Sequence, residues 1–341
     1  MNRELVFGLW PLVFGAKKVN VKNQEIKNQE IKKQGTKDQR PKTKDQHPTT
    51  ALSTFKLSVI NDEITQDFGR ACEVAAQEFG LQLIEIRGMW GKNIMRLDAK
   101  EIDEARKILE KYKLRVSSIA SPIFKVDWPG APPSKFSPKR DQFGADFTFE
   151  QQDELLERGF ELTRVFKVDR IRIFDFWRLD DQKPYRAAID EKLIEASKKA
   201  AKRGITLLLE NEPSCNTATG AEAARTLGVV RSAYLKLNWD PGNAASVGEI
   251  AYPDGYSHLP KKRLGYMHCK DVTRAANGKY EWMKMGGGII DYVGQYRALR
   301  KDGYRGVVSL ETHWRGAGTP EESSRQSMAG MRDLLRRAGA L

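Results

Sequence analysis

The chain has 341 residues, 40% hydrophobic and 30% charged, which suits one large globular domain or two ordinary ones. Its formal net charge is +13, but residues 1–54 hold eleven basic residues against five acidic ones. The remainder is only moderately basic and has no dense cationic cluster with interleaved aromatics, so nucleic-acid binding is unsupported. Cys72, Cys215 and Cys269 are far apart and odd in number, which argues against a disulfide framework or a thiolate zinc site and fits a reducing compartment. No apolar run approaches the roughly 20 residues of a membrane span.

Residues 5–16 have the apolar character of a signal peptide, but Glu4 offsets Arg3 and Phe14 spoils the small-residue cleavage pattern. A cytoplasmic location is therefore the expectation, with export as the minority reading. Residues 17–50 repeat Lys-Asn-Gln-Glu-Ile and Thr-Lys-Asp-Gln, a polar tract that cannot bury enough apolar surface to fold. Residues 1–53 are read as a disordered tail and 54–341 as the folded domain.

From Phe55 the pattern alternates. Apolar runs at 55–60, 81–87, 114–121, 170–177, 205–210, 235–240, 264–270 and 306–311 read as strands. Helical periodicity at 67–79, 98–113, 148–168, 183–203, 218–229, 291–301 and 320–338 separates them, with a short helix expected near 245–250. Asp98 and Thr148 are the predicted N-caps of their helices. Residues 123–147 read as a long loop, and 271–288 as an insertion ending in three glycines. Ile205–Glu210 shows no polar alternation, as expected of a strand covered by helices on both faces. Eight strand–helix units in the roughly 250 residues that such a barrel needs predict a (β/α)₈ TIM barrel, class α/β. No GxGxxG follows the first strand and no GxxxxGK[ST] occurs, so nucleotide-binding folds lose their usual signal.

Four residues fall at equivalent places in this scheme. Glu210, Asp240 and Glu311 end the fifth, sixth and eighth strands, and His268 lies in the seventh, at spacings of 30, 28 and 43 residues. The C-terminal ends of adjacent barrel strands converge on one mouth. Three carboxylates there repel one another unless a cation neutralises them. Taken singly, each residue reads as a loop cap, an ion pair or a satisfied core histidine. Taken together, on four consecutive strand ends, they predict one divalent ion held by Glu210, Asp240, His268 and Glu311, with Mn²⁺ or Mg²⁺ favoured by the oxygen-rich set and Co²⁺ or Zn²⁺ compatible with it.

With Leu-Leu-Glu-Asn at 208–211, Asp-Pro-Gly-Asn at 240–243, His-x-Lys-Asp at 268–271, Gly-x-x-Asp at 288–291 and Gly-x-Val-Ser-Leu-Glu at 306–311, the chain from about Phe55 resembles the xylose isomerase-like TIM barrels, in particular the sugar phosphate isomerase/epimerase group. The resemblance implies a metal-dependent isomerase or epimerase of a small sugar or sugar derivative. Glu210 and Glu311 would then be the acid/base pair acting through a metal-stabilised enediolate. Arg274, six residues after His268, matches an arginine that binds sugar hydroxyls in ketose epimerases. Those epimerases carry His three residues after the Asp ligand and Glu six after the Glu ligand, where this chain has Asn243 and Asn216. These two, with Lys270 and Trp177, complete the expected substrate-binding set. Glu85, Lys125, Arg178, His313 and Trp314 are further residues on the same side, while His258 has no evident partner.

The expected partner is a small carbohydrate, with no nucleic acid and no membrane, and a homo-oligomer is allowed. The runner-up is a metal-dependent lyase that dehydrates a keto-inositol or related keto-polyol. A trinuclear zinc phosphodiesterase needs more than the four histidines present, and a non-catalytic, metal-stabilised binding module is the remaining alternative.

Overall fold

The computed structural model describes residues 53–137 and 146–341. Almost all of the predicted tail, with its apolar start, and the middle of the 123–147 loop lie outside the described residues.

Eight parallel strands form one sheet: β1 (Lys56–Val59), β2 (Leu83–Ile86), β3 (Arg115–Ile119), β4 (Arg170–Ile173), β5 (Thr206–Glu210), β6 (Leu235–Trp239), β7 (Leu264–Cys269) and β8 (Val307–Leu310). The ladders run β1-β8-β7-β6-β5-β4-β3-β2. A single parallel bridge, Ile60 to Glu85, joins the two ends of that order and closes the barrel. The helices outside it are α1 (Phe68–Glu73), α2 (Ala99–Lys111), α3 (Gln152–Val165), α4 (Arg186–Ala201), α5 (Gly220–Val229), α6 (Pro241–Ser246), α7 (Tyr292–Lys301) and α8 (Pro320–Arg337). This is the expected (β/α)₈ barrel. Among the described residues, no helix is long and apolar enough to cross a membrane.

Local chemistry explains the elements. Asp98 caps α2 by accepting from the Lys100 and Glu101 amides, and Glu101 reaches back to the Asp98 amide. The same box links Thr219 and Glu222 at α5. In α2, Ile102, Ala105 and Leu109 form the buried stripe. In β5, Leu207 and Leu209 pack outward into the main core. Leu208 points inward, where it meets Tyr266, Val307 and Leu83 as the floor of the barrel. Above the floor the interior turns polar: Ser58 and Ser117 share a 2.8 Å hydrogen bond, and Ser117 lies 2.8 Å from the Tyr266 hydroxyl.

Four boundaries depart from expectation. β4 stops at Ile173 because the Phe174, Phe176 and Trp177 amides donate to the carbonyls of Ile123, Phe124 and Val126, not to β5. Thr148 is not the cap of α3. The Gln151 side chain instead turns back to accept from the Thr148 amide, and the helix begins at Gln152. The short helix lies at Pro241–Ser246, earlier than expected, because Asp240 caps it through a 3.0 Å bond from the Asn243 amide. The 271–288 insertion contains an antiparallel ribbon, Asp271–Arg274 against Tyr280–Met283. Asp271 holds its return by accepting from the Gly286 and Gly288 amides.

Truncating the floor tests this packing. Leu208→Ala should cost about 2–5 kcal/mol of unfolding free energy, because the closed barrel cannot collapse around the missing atoms. Chemical denaturation of the metal-free protein measures it. A loss within the scatter of surface substitutions would mean that the floor is not packed as described.

Candidate metal centre

Strand geometry assembles the four predicted residues. Glu210 ends β5, Asp240 follows β6 as the N-cap of α6, His268 lies in β7 and Glu311 follows β8. All are buried. Each offers one donor atom, and the four donors lie within 4.8 Å of one another. His268 Nδ1 is 3.3 Å from Glu210 Oε1, 3.3 Å from Glu311 Oε2 and 3.9 Å from Asp240 Oδ2. Its other nitrogen, Nε2, lies 3.0 Å from Glu85 Oε2, which also accepts from the Tyr266 hydroxyl at 3.0 Å and the Ser309 hydroxyl at 2.8 Å. Glu85 thus holds the ring so that Nδ1 faces the carboxylates.

The residues fit a divalent ion. Three carboxylates and one imidazole form a hard, mostly oxygen donor set. Asp240 divides its work: Oδ1 caps α6, while buried Oδ2 has no hydrogen-bond partner. The Lys270 ammonium stands 2.9 Å from Oδ2, close enough for an ion pair but without hydrogen-bond geometry. Asn243 fixes the opposite wall, donating to Glu210 Oε1 at 3.2 Å and to the Asn211 carbonyl at 2.8 Å.

The charge balance is internal. Arg172 projects inward from β4, donates to Glu210 Oε2 at 3.0 Å, and is anchored on the Ser121 and Ala120 carbonyls at 3.2 Å. Arg87 donates to Glu311 Oε1 at 3.0 Å while gripping Asp62 and Glu63. Lys270 donates to Glu311 Oε2 at 2.6 Å. Burial pushes the Glu210 carboxyl up, but His268 and Arg172 outweigh it and hold the group at about 2. Burial also opposes ionisation of Glu311, and there Lys270 wins and holds it well below the usual carboxylate range. Asp240 goes the other way: burial, then the Glu311 and Glu210 charges, raise it to about 6 against the pull of Lys270. Burial disfavours the imidazolium of His268, but the Glu85, Glu210 and Glu311 charges raise it well above the ordinary value.

A model of the xylose isomerase-like TIM barrel matches residues 74–334. The chain belongs to that family. Solved members and neighbours share its fold. The IolI protein with a bound zinc atom superposes with a TM-score of 0.66 at 16% identity, over 84% of this chain and 100% of that one. The probable 3-DHS dehydratase AsbF of Bacillus anthracis gives 0.61 at 20%, over 82% and 98%. The D-psicose 3-epimerase of Clostridium cellulolyticum H10, solved with D-tagatose, gives 0.61 at 16%, over 82% and 99%. Against a xylose isomerase-like TIM barrel/4-hydroxyphenylpyruvate dioxygenase fusion protein the chain spans 42% of that protein's length. No curated protein matches it in sequence. At these identities the likeness carries the fold, and the reactions differ among the neighbours.

Within this xylose isomerase-like barrel the expected substrate-side residues separate. Lys270 and Asn243 touch the carboxylates. Trp177 is buried in a small cluster with Phe174 and Cys215 near the mouth, and the Lys125 ammonium lies over the Phe174 and Trp177 rings at 4.6 and 5.4 Å. Lys125 and Trp177 each follow a phenylalanine with positive φ, 64° at Phe124 and 69° at Phe176, a backbone region costly for bulky residues. Asn216 holds the loop after β4, donating to the Asp175 carbonyl at 2.8 Å and accepting from the Leu179 amide at 3.0 Å. Arg274 is exposed at the end of the ribbon, its guanidinium 6.0 Å from the centre of the Tyr280 ring. Arg178 pairs with Glu222.

Sequence reading missed Arg172, Arg87 and Glu63, and gave Glu85 no partner. A charge inside an otherwise apolar strand, as in Arg-Ile-Arg-Ile at 170–173, is the one signal that marks Arg172. Glu63, Glu311 and His313 form a second potential donor group. However, both Glu63 oxygens accept from guanidinium groups at 2.6 Å, Arg87 on one and Arg315 on the other, so that group is already neutralised by cations.

Metal affinity should rise with pH. Coordination requires Asp240 as carboxylate and His268 as neutral imidazole, so binding displaces protons from both. Mn²⁺ affinity measured by calorimetry at pH 5 should therefore fall below that at pH 7 by about tenfold or more, since one pKa unit of unpaid ionisation is a factor of ten. A flat profile removes Asp240 and His268 from the donor set. Glu85→Gln should keep the fold and weaken Mn²⁺ binding by about 10–100-fold, the usual penalty for losing a partner behind a ligating histidine.

Proposed function

We propose that the protein is a metal-dependent isomerase or epimerase of a small sugar or sugar derivative, with Glu210, Asp240, His268 and Glu311 as ligands of one divalent ion, Mn²⁺ or Mg²⁺ by donor type. The observation that carries the reading is the convergence of three carboxylates and one Glu85-held imidazole within 4.8 Å at the C-terminal mouth of a (β/α)₈ barrel. When bound, the ion supplies a Lewis acid for the oxygen that gains charge as the neighbouring carbon loses its proton.

The protein's own groups do the rest. Glu210 and Glu311 approach the mouth from β5 and β8 and are the candidate proton-transfer pair, one on each side of the reacting carbon. His268 with Arg172 keeps Glu210 a carboxylate, and Lys270 does the same for Glu311, the state in which each can accept a proton. Trp177 and Trp282 provide aromatic walls for a sugar face, and Lys125 with Lys270 provides hydrogen-bond donors for its oxygens. The arginine that matches the ketose epimerases, Arg274, is exposed on the ribbon and touches none of the four clustered residues among the described contacts. With Asn243 and Asn216 in place of His and Glu, this favours a substrate other than the simple ketoses.

A second reading is a lyase that dehydrates a keto-inositol or related keto-polyol. The cations around the mouth favour it. Two glutamates both held ionised are suited to removing a proton, and the carboxyl so formed can hand that proton to the departing β-hydroxyl, which leaves as water, so none has to be returned to carbon. The neighbouring AsbF is described as a probable dehydratase.

Incubating the full-length protein with Mn²⁺ and a panel of keto sugars and inososes in D₂O separates the readings. Deuterium incorporation at the carbon beside the carbonyl, with sugar mass otherwise conserved, marks the isomerase. Loss of water with a new enone absorbance marks the lyase. Glu210→Gln and Glu311→Gln should each lower the rate by about 10²–10⁴-fold, and EDTA should abolish it. A folded, Mn²⁺-loaded protein that exchanges no proton on any of them would leave the barrel as a binding module.

A further inference from the structure

The cations that neutralise the mouth are held in different ways. Arg172 is tied to two backbone carbonyls as well as to Glu210. Arg87 is tied to Asp62 and Glu63 as well as to Glu311. Each guanidinium keeps its place if its site carboxylate turns. Lys270 has no such anchor. Among the described residues, the polar contacts of its ammonium are Asp240 Oδ2 at 2.9 Å and Glu311 Oε2 at 2.6 Å. Those are the oxygens that face His268 Nδ1.

An ammonium and a divalent ion cannot share the same pair of buried oxygens, because two cations a few ångströms apart in a poorly screened interior repel strongly. Lys270 also has a neighbour that a cation can lean on. The Trp282 ring centre lies 5.2 Å from its ammonium, on the ribbon that borders the mouth, and aromatic faces accept cations. Gly242 admits the stem of Lys270 where it lies. A Cβ on Gly242 would stand 2.5 Å from Lys270 Cγ and 2.6 Å from its carbonyl oxygen. The Lys270 backbone is fixed meanwhile by exchange of hydrogen bonds with the Tyr292 hydroxyl, at 3.1 and 2.7 Å. The main chain is held by hydrogen bonds, and the ammonium is held only by the two carboxylates and the Trp282 face.

We infer that Lys270 is an internal counter-ion that competes with the divalent ion for Asp240 Oδ2 and Glu311 Oε2, its ammonium turning to the Trp282 side of the mouth when the ion binds. The inference rests on the four-ligand reading above. It makes Lys270 a residue that sets metal affinity, and it brings a positive charge to the substrate side only in the metal-loaded state.

The test uses the full-length protein stripped with EDTA, with Mn²⁺ alone as the probe. Lys270→Met and Lys270→Gln should bind Mn²⁺ about tenfold or more tighter than wild type, the scale set by losing one hydrogen bond between charged groups. Their metal-free melting temperature should fall more than their Mn²⁺-saturated one. In the wild type, acetic anhydride labelling read by peptide mass spectrometry should modify Lys270 more readily with Mn²⁺ than without, a readout that does not depend on how either variant folds. Equal or weaker Mn²⁺ affinity in both variants, with wild-type binding intact, overturns the inference and leaves the four-ligand site standing. So does Lys270 labelling that Mn²⁺ leaves unchanged. If wild type and variants all fail to bind Mn²⁺, the four-ligand reading and the inference fall together.

Discussion

Three carboxylates buried at one end of a closed barrel are the constraint from which the rest follows. Each would repel its neighbours and resist desolvation on its own, and the surrounding sequence answers with a cation for each. Arg172 reaches Glu210 from β4, Arg87 reaches Glu311 from beyond β2, and Lys270 spans Asp240 and Glu311 from the end of β7. The polar interior of the barrel, unusual above an apolar floor of Leu83, Leu208, Tyr266 and Val307, is the same compensation carried one layer deeper. There Glu85 Oε2 takes contacts from Tyr266, Ser309 and His268 together, while its buried Oε1 has no hydrogen-bond partner among the described residues. Half-satisfied networks of this kind are costly, so the site and the core beneath it form a single unit.

The barrel itself was legible because its strands are helix-covered and therefore read as unbroken apolar runs, and because strand ends in a (β/α)₈ fold meet at one mouth whatever the loops do. Glu210, Asp240, His268 and Glu311 needed no more than that to be grouped. What escaped notice depended on inward or outward parity, which sequence does not carry past an irregularity. The ladder slips between Ile84 and Glu85 and again between Leu237 and Asn238, and each slip changes which residue faces the interior. The extra residues are Ser117 on β3 and Gly265 on β7, so it is the parity of those strands that shifts, while Glu85 and Asn238 keep the alternation of their own. Arg87 and Arg172 look, in sequence, like ordinary charges near strand ends. Arg274 was picked out by its spacing from His268, and the structure puts it at the exposed end of a ribbon that the sequence pattern did not reveal.

Asp240 shows why choosing between a bland and a functional reading of a residue is a false alternative. A carboxylate before Pro-Gly is a helix cap, and this one is, through Oδ1. The cap orients the group so that Oδ2 faces His268 Nδ1. Pro241 supports the arrangement, since its fixed φ suits the first helical position and its missing amide is not needed there. One turn of helix thereby serves as the positioning device for one donor atom.

The barrel is closed by one bridge between Ile60 and Glu85, and this thin seam has a dynamic consequence. Sub-global opening begins where ladders are thin: the single pair between the third and fourth strands is one such place, and the joint between the first and the second is another. The residue on the far side of that joint is the one that steadies His268. Breathing of the seam and loosening of the mouth are therefore one motion. A cation held at the mouth, as proposed, would bolt the staves together from inside, and amide exchange along the first strand would then be a distant gauge of what the mouth is holding.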